Sequence, residues 1–211
     1  MSQPYQYRWD RLKPYASHSI FFKHLMRIVM RLMFKIKVHG RENMPKSEGG
    51  VILASNHLHA ADPGFLMFAT RRNWRFIAKK ELFKNRASAF LCTQNNAFPV
   101  DRDVIDRQAY NYAIRVLKDG RCGLGIFPEG QRSPDGVPQE AKKGVAMIAR
   151  EAKAAVLPCS LYYEGSLKPR RKVTVRIGKL ITFEELGMRE SQEATEKIMA
   201  EITALWERKH D

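Results

Sequence analysis

Short apolar runs recur along this chain, and they constrain its fold more than any other feature. Each run is four to six residues long, a length that favours strands buried on both faces. The runs occupy residues 51–54, 74–78, 122–127, 155–160 and 173–177. Helical patterns are predicted at residues 103–118, 144–153 and 191–209. This alternation predicts an α/β fold with a mostly parallel sheet flanked by helices, in which a site would form beyond the carboxyl ends of the strands.

The first 48 residues differ from the rest of the chain in charge, with ten Lys or Arg against three acids. Residues 20–37 are predicted to form a helix. Cations recur there every four residues and leave a wide apolar arc: Lys23, Arg27, Arg31 and Lys35. We therefore predict a basic, amphipathic and membrane-associating N-terminal segment at 1–48, followed by an α/β domain at 49–211. The alternative is that the helix only packs on this domain.

Membrane attachment is expected to be peripheral or monotopic. No uninterrupted apolar run approaches the roughly 20 residues of a transmembrane helix, whereas an amphipathic helix can lie in the interface. The late, cation-studded apolar stretch also argues against a signal peptide. The cysteines are odd in number and show no paired spacing, which favours a reducing setting and hence the cytoplasmic face: Cys92, Cys122 and Cys159.

The charge balance indicates a polyanionic partner. Lys and Arg number 37 against 22 Asp and Glu, a net charge of +15. Nucleic acid, an anionic membrane and an acidic carrier protein all satisfy this excess, and charge alone does not choose among them.

A histidine and a carboxylate follow the first apolar run. Asn56, His57 and Asp62 lie just beyond residues 51–54, and Pro63 suits the first turn of a helix. A carboxylate at that turn can reach back to the imidazole, so His57 and Asp62 form a candidate acid-base pair. The alternatives are that Asp62 is only a helix N-cap and that His57 is only a satisfied turn residue.

A second polar loop follows the run 122–127. It contains Glu129, Gly130 and Arg132. Exposed backbone N–H groups and a guanidinium match the geometry of a phosphate, so the loop is a candidate anion site. Taken alone, such a loop is more often a surface turn.

Together with residues 98–102, these segments resemble the glycerophospholipid acyltransferase family, typified by the enzyme that acylates 1-acylglycerol-3-phosphate. The resemblance spans about residues 36–165. Its four ordered blocks are Asn56, His57 and Asp62; Pro99, Val100 and Arg102; residues 127–133; and residues 156–158. The chain departs from the family pattern at Asn96, where glycine is usual, and at Gln131, where threonine is usual. Asn tolerates a left-handed backbone better than most residues, so we expect the turn at Asn96 to be kept.

The resemblance implies a membrane-associated enzyme whose catalytic domain moves an acyl chain from an acyl thioester to a lysophosphatidate-type acceptor. His57 would be the general base and Asp62 would orient it. The residues expected to bind substrate are Asn56, Lys79, Arg102, Glu129, Gly130 and Arg132. The implied donor is acyl-coenzyme A or acyl-carrier protein, and no cofactor or metal is expected. Glycerol 3-phosphate, another lysophospholipid and a lyso-amino-lipid remain alternative acceptors.

Functions of other classes explain less of the sequence. His57, His59 and Asp62 superficially resemble metal ligands, but no second ligand cluster accompanies them. Neither Cys92 nor Cys122 lies in a recognisable nucleophile turn. A nucleic-acid module would use the cations and aromatics of residues 5–9, and a membrane scaffold would need no active site. Both leave the four ordered blocks unexplained, so we expect no nucleic-acid partner.

Overall fold

A computed structural model describes residues 20–46, 50–94, 96–133, 135–187 and 190–210. The N-terminal residues 1–19, including the aromatic and basic stretch at 5–9, lie outside the described residues. The seven strands are β1 (Lys35–His39), β2 (Val51–Ser55), β3 (Trp74–Lys79), β4 (Ala97–Val100), β5 (Gly123–Ile126), β6 (Ala155–Tyr162) and β7 (Lys172–Ile177). The α-helices are α1 (Ile20–Met33), α2 (Asp62–Thr70), α3 (Arg86–Gln94), α4 (Arg107–Asp119), α5 (Gly144–Ala152) and α6 (Ser191–Glu207).

The strands form one mostly parallel sheet in the order β1-β7-β6-β2-β5-β3-β4. Strands β2 to β6 run in the same direction, β7 is antiparallel to β6, and β1 is parallel to β7. The carboxyl ends of five strands therefore meet at one edge of the sheet, which we call the carboxyl edge. Because of the reversal at β7, strands β7 and β1 begin at this same edge.

Helices cover both faces of the sheet, as the alternating pattern predicts. Alternate residues of β2 point to opposite faces, so Ile52 packs with α4, α5 and α6 while Leu53 packs with α2 and Phe34. All five residues of β2 are buried. The strand that leads to the candidate site is thus fixed in the centre of the fold.

The predicted helix at 20–37 is too long. Helix α1 ends at Met33, and Lys35 begins β1, which pairs with β7 along the edge of the sheet. The sequence Lys35-Ile36-Lys37-Val38-His39 alternates polar and apolar residues with the period of a strand, and pairing with β7 stabilises that conformation. The four-residue spacing of cations continued past the true end of the helix and obscured the change of period.

Two further elements, α4 and β4, differ from the prediction. Helix α4 begins at Arg107 rather than at residue 103, because the carboxylate of Asp106 accepts a hydrogen bond from the backbone N–H of Ala109 and caps the helix there. Strand β4 was missed, since its four residues include Pro99. It lies at the edge of the sheet, where proline is tolerated.

We predict that Gly123→Ala destabilises the fold by about 1–3 kcal/mol. A Cβ atom at Gly123 would lie 2.1 Å from the ring of Trp74, which is fully buried and has no room to move. Urea unfolding followed by circular dichroism measures the change. Gly144→Ala is the matched control, because a Cβ there has no neighbour within 4 Å and alanine favours the first turn of α5. Equal stability of the two variants would contradict this account.

Candidate active site

Asn56 ties the end of β2 to β6. Its side-chain amide donates to the carbonyl of Leu161 at 2.9 Å and accepts from the backbone N–H of Leu161 at 2.8 Å. Asn56 is fully buried, and these bonds replace the ladder where β2 ends. The predicted substrate ligand therefore has a structural role in the described fold, namely to fix the backbone that carries His57.

His57 and Asp62 lie in direct contact, as the sequence predicts. His57 Nδ1 is 2.8 Å from Asp62 Oδ2. The same carboxylate oxygen accepts from the backbone N–H groups of Leu58 and His59 at 2.6 and 2.7 Å. A carboxylate that accepts two N–H bonds needs a donor at Nδ1, so the proton of the neutral ring resides there and Nε2 keeps its lone pair.

The alternative that Asp62 is only an N-cap is wrong, because Asp62 does not occupy the cap position of α2. Asp62 is the first residue of α2, Ala61 occupies the cap position, and Pro63 follows within the first turn. Asp62 is fully buried, and its Oδ1 has no hydrogen-bond partner among the described residues. The buried carboxylate therefore ties the ring of His57 to the turn that follows β2.

The ring of Phe127 covers one face of His57. The two ring centroids are 4.0 Å apart and the planes are inclined by only 15°. Stacking fixes the plane of the imidazole, and an aromatic face also stabilises a cation placed over it. Phe127 belongs to the third sequence block, but its contact with His57 could not be read from spacing.

Glu129 and Ser133 brace the loop that follows β5. Ser133 donates from Oγ to Glu129 Oε2 at 2.6 Å, and its backbone N–H donates to the carbonyl of His57 at 2.8 Å. Both residues are buried. Ser133 thereby joins the two polar loops. Glu129 was expected to bind substrate, but in the structure it accepts a hydrogen bond from a protein hydroxyl.

Cations gather beside this loop. Arg102 donates from Nη1 to the carbonyl of Gly130 at 2.7 Å. Loss of hydration and the nearby charge of Arg132 both lower the pKa of Arg102. Gly130 has φ +71°, and a Cβ atom added to it would meet the side chain of Lys142 at 3.2 Å. Arg102, Arg132 and Lys142 therefore converge on one backbone turn, an arrangement that suits an anion.

Lys79 lies at the end of β3, on the same edge, but it has a partner. Its Nζ is 3.7 Å from Glu81 Oε2, and the neighbouring Lys80 pairs with Asp101. The predicted extension of the anion site to Lys79 is thus only partly available, since Glu81 offsets the charge.

The two departures from the family pattern have clear local structures. Asn96 adopts φ +55°, so the left-handed turn is kept as predicted. Its side chain is buried, and Oδ1 has no hydrogen-bond partner in the described part of the chain. Gln131 donates to Gln139 on the exposed side of the loop. Neither residue contacts the His57 and Asp62 pair.

Tyr163 is a nearby residue that the sequence did not single out. It follows β6 and is half-buried. Burial, with a further contribution from the negative charge of Asp62, raises the pKa of Tyr163, so its hydroxyl stays protonated. Its place at the carboxyl edge depends on the pairing of β6 with β2, which no local motif reveals.

We predict that the ionisation of Glu129 makes stability fall as the pH rises. Burial raises the pKa of Glu129 above its ordinary value of 4.5. The unfolded chain therefore releases this proton at a lower pH than the native chain does, and stability is lost as the pH rises through the raised pKa. Relative to Glu129→Gln, the wild type should lose free energy of unfolding as the pH rises above the ordinary carboxyl value of 4.5, as measured by urea unfolding.

Glu185→Gln serves as a control of opposite sign. Hydrogen bonds from Thr182 lower the pKa of Glu185, so the wild type should gain stability relative to this variant as the pH rises toward the ordinary value of 4.5, and not above it. A pH-independent difference for Glu129→Gln would show that this carboxyl does not titrate as its burial requires.

Two negative observations concern the described residues. Within them, no group of three or more His, Cys, Asp and Glu side chains could hold a metal ion. No helix in the same part of the chain is long and apolar enough to cross a bilayer.

Known proteins are similar to the part of the chain that forms this edge of the sheet. A family model described as "Acyltransferase" matches residues 35–162, which extend from the first residue of β1 to the last residue of β6 and include every predicted site residue. The crystal structure of the 1-acyl-sn-glycerophosphate acyltransferase from Thermotoga maritima superposes with a TM-score of 0.73 at 26% identity. The superposition covers 90% of this chain and 79% of the Thermotoga maritima chain.

Three curated relatives are named 1-acyl-sn-glycerol-3-phosphate acyltransferase. The protein of Streptococcus pneumoniae is 31% identical, over 79% of this chain and 65% of its own length. The protein of Bacillus subtilis is 31% identical, over 69% and 70%. The protein of Borreliella burgdorferi is 33% identical, over 61% and 51%, so the chain spans between half and seven-tenths of these relatives. A family match across six strands, together with relatives that are 31% identical over 69–79% of this chain, establishes that this chain belongs to the acyltransferase family.

Proposed function

We propose that this protein transfers an acyl group from an acyl thioester to the free hydroxyl of a 1-acylglycerol-3-phosphate-type acceptor. The observation that carries the proposal is the 2.8 Å contact between His57 Nδ1 and Asp62 Oδ2 at the carboxyl edge. It leaves Nε2 as the proton acceptor, and the cations around Gly130 supply an anion site on the same edge. The names of the relatives supply the acceptor class.

In this mechanism His57 acts on the acceptor and not on a protein nucleophile. Nε2 takes the proton of the acceptor hydroxyl while its oxygen attacks the thioester carbonyl carbon. Collapse of the tetrahedral intermediate breaks the carbon–sulfur bond, and the imidazolium returns its proton to the departing thiolate. Asp62 stabilises the imidazolium, as the carboxylate does in a serine hydrolase triad, and the substrate hydroxyl takes the place of serine.

The phosphate of the acceptor would be bound by Arg102, Arg132 and Lys142. Glu129 and Asn56 would act as positioning residues, because their hydrogen bonds fix the loop and the strand on which the proposed catalytic and binding groups lie. The donor would be acyl-coenzyme A or acyl-carrier protein, both of which are anionic and suit a strongly basic protein.

Helix α1 supports attachment of the protein to a membrane surface. Its Met30 contacts Gly64 of α2, two residues after Asp62, so one side of the helix packs on the domain. The other side leaves Ile28 and Leu32 exposed by 55% and 75%. The two interpretations of this helix are therefore compatible, because its outer side remains available to acyl chains.

The first experiment compares acyl transfer by wild type, His57→Ala and Asp62→Asn in mixed micelles, with labelled acyl-coenzyme A or acyl-carrier protein and a panel of lyso-lipids. His57→Ala should lose about 10²–10⁴-fold in kcat, since it removes the general base. Asp62→Asn should lower kcat with little change in acceptor KM, because the asparagine does not stabilise the imidazolium. Undiminished turnover by His57→Ala would disprove the mechanism.

Arg132→Ala should raise the KM for the phosphorylated acceptor strongly and the KM for the acyl donor much less. The reason is that Arg132 belongs to the cation group around Gly130, which is the proposed phosphate site. Arg121→Ala is the matched control, since Arg121 pairs with Asp119 at the start of β5, on the opposite edge of the sheet. Equal increases for acceptor and donor would contradict a phosphate role.

A further inference from the structure

A surface pocket lies between the end of β6, the start of β7 and the C-terminal residues. Its volume is about 430 Å³. Five cations line this pocket, which we call the basic pocket: Lys168, Arg170, Arg171, Lys172 and Lys209. None of the candidate catalytic or acceptor-binding residues lines it, so the basic pocket is separate from the site around His57.

The charge of the basic pocket is poorly compensated. Among the described residues, none of the five cations has a carboxylate oxygen within 4.0 Å. Glu164 is the acidic residue of the lining, and it forms no ion pair there. Five like charges around one small pocket repel one another, and a bound anion would relieve that repulsion.

The pocket is built on an ordered frame. Lys209 lies over the ring of Trp206 with its Nζ 3.3 Å from the ring centroid, and Tyr162 packs edge-on against His210 at 5.4 Å. The backbone N–H of Arg170 donates to the carbonyl of Met33, and that of Lys35 donates to the carbonyl of Arg171. These bonds attach the loop between β6 and β7 to the end of α1.

This attachment places the basic pocket beside the apolar side of α1. Leu32 and Met33 are exposed at the end of the helix, and the carbonyl of Met33 itself accepts one of the two hydrogen bonds that secure the loop. Both features lie at the carboxyl edge, because β6 ends there and β7 and β1 begin there. An apolar row bordered by cations matches the layering of a bilayer, in which phosphates lie just above the acyl chains.

We propose that the basic pocket binds the phosphate headgroups of anionic phospholipids when α1 lies in the membrane interface. This second contact fixes the rotation of the domain about α1 and turns the carboxyl edge, with His57, toward the membrane. The inference rests on the proposed interfacial location of α1 but not on acyl transfer.

The test is co-sedimentation with vesicles of phosphatidylcholine alone and with added phosphatidylglycerol, in the absence of donor and acceptor. The charge-removing variant is Lys168→Gln, Arg170→Gln and Lys172→Gln combined. Its binding to the anionic vesicles should fall on the order of 10²-fold, since each cation near an anionic surface contributes about fivefold. Binding to phosphatidylcholine alone should change little.

Two further variants separate this role from general charge and from misfolding. Arg115→Gln, Lys118→Gln and Arg150→Gln remove the same charge from exposed positions on α4 and α5, and should retain most of the binding. The exchange Lys168→Arg, Arg170→Lys and Lys172→Arg keeps the charge and should bind like the wild type. Circular dichroism verifies the fold of each variant.

Three results would overturn the proposal. One is equal loss for the two charge-removing variants, which would show a general electrostatic effect. Another is unchanged vesicle binding by the pocket variant together with an unchanged KM for the acyl donor. The third is unchanged vesicle binding with a raised KM for acyl-coenzyme A or acyl-carrier protein, which would assign the pocket to the donor. Failure of acyl transfer in every variant, wild type included, would count against the proposed function and leave the vesicle result standing.

Discussion

The candidate active site is organised around one oxygen of Asp62, which accepts three hydrogen bonds at once. Two come from the backbone N–H groups of Leu58 and His59, and the third comes from the ring of His57. The backbone bonds close the turn after β2, and the side-chain bond selects the tautomer of the imidazole. The local fold and the reactive state of the histidine therefore depend on the same carboxylate. The stacked ring of Phe127 and the hydrogen bond from the backbone N–H of Ser133 to the His57 carbonyl add to this orientation.

The parallel sheet brings the remaining groups to this histidine. The segments that contain His57, Glu129 and Arg102 are far apart along the chain, but they leave β2, β5 and β4 at the same edge. Asn56 extends the connection to β6 through its bonds with Leu161. The proposed phosphate ligands and the proposed general base thus lie on loops anchored in a common core, which limits their relative motion.

Much of this arrangement could be predicted from sequence. The buried runs are long enough and apolar enough to identify five strands, and the spacing from His57 to Asp62 predicts the contact between them. Local patterns failed where tertiary contacts decide the outcome. Lys35 continues a helical spacing of cations, but pairing with β7 makes it a strand residue. Pro99 disfavours a strand except at an edge, and only the strand order shows that β4 lies there. The structural role of Asn56 and the place of Tyr163 depend on the pairing of β2 with β6, two strands that are about 100 residues apart in sequence. The division of the chain near residue 48 stays a prediction.

The turn from His57 to Asp62 is closed by hydrogen bonds to backbone positions in a fixed count, so an inserted or deleted residue would break the ring of contacts. The loop from β5 to α5 is different: it spans residues 127–143 and is anchored chiefly by Ser133, Arg102 and the backbone of Lys142. Changes in length and composition can accumulate between those anchors without moving the histidine. The loop after β5 can therefore vary in sequence independently of the turn that holds His57 and Asp62.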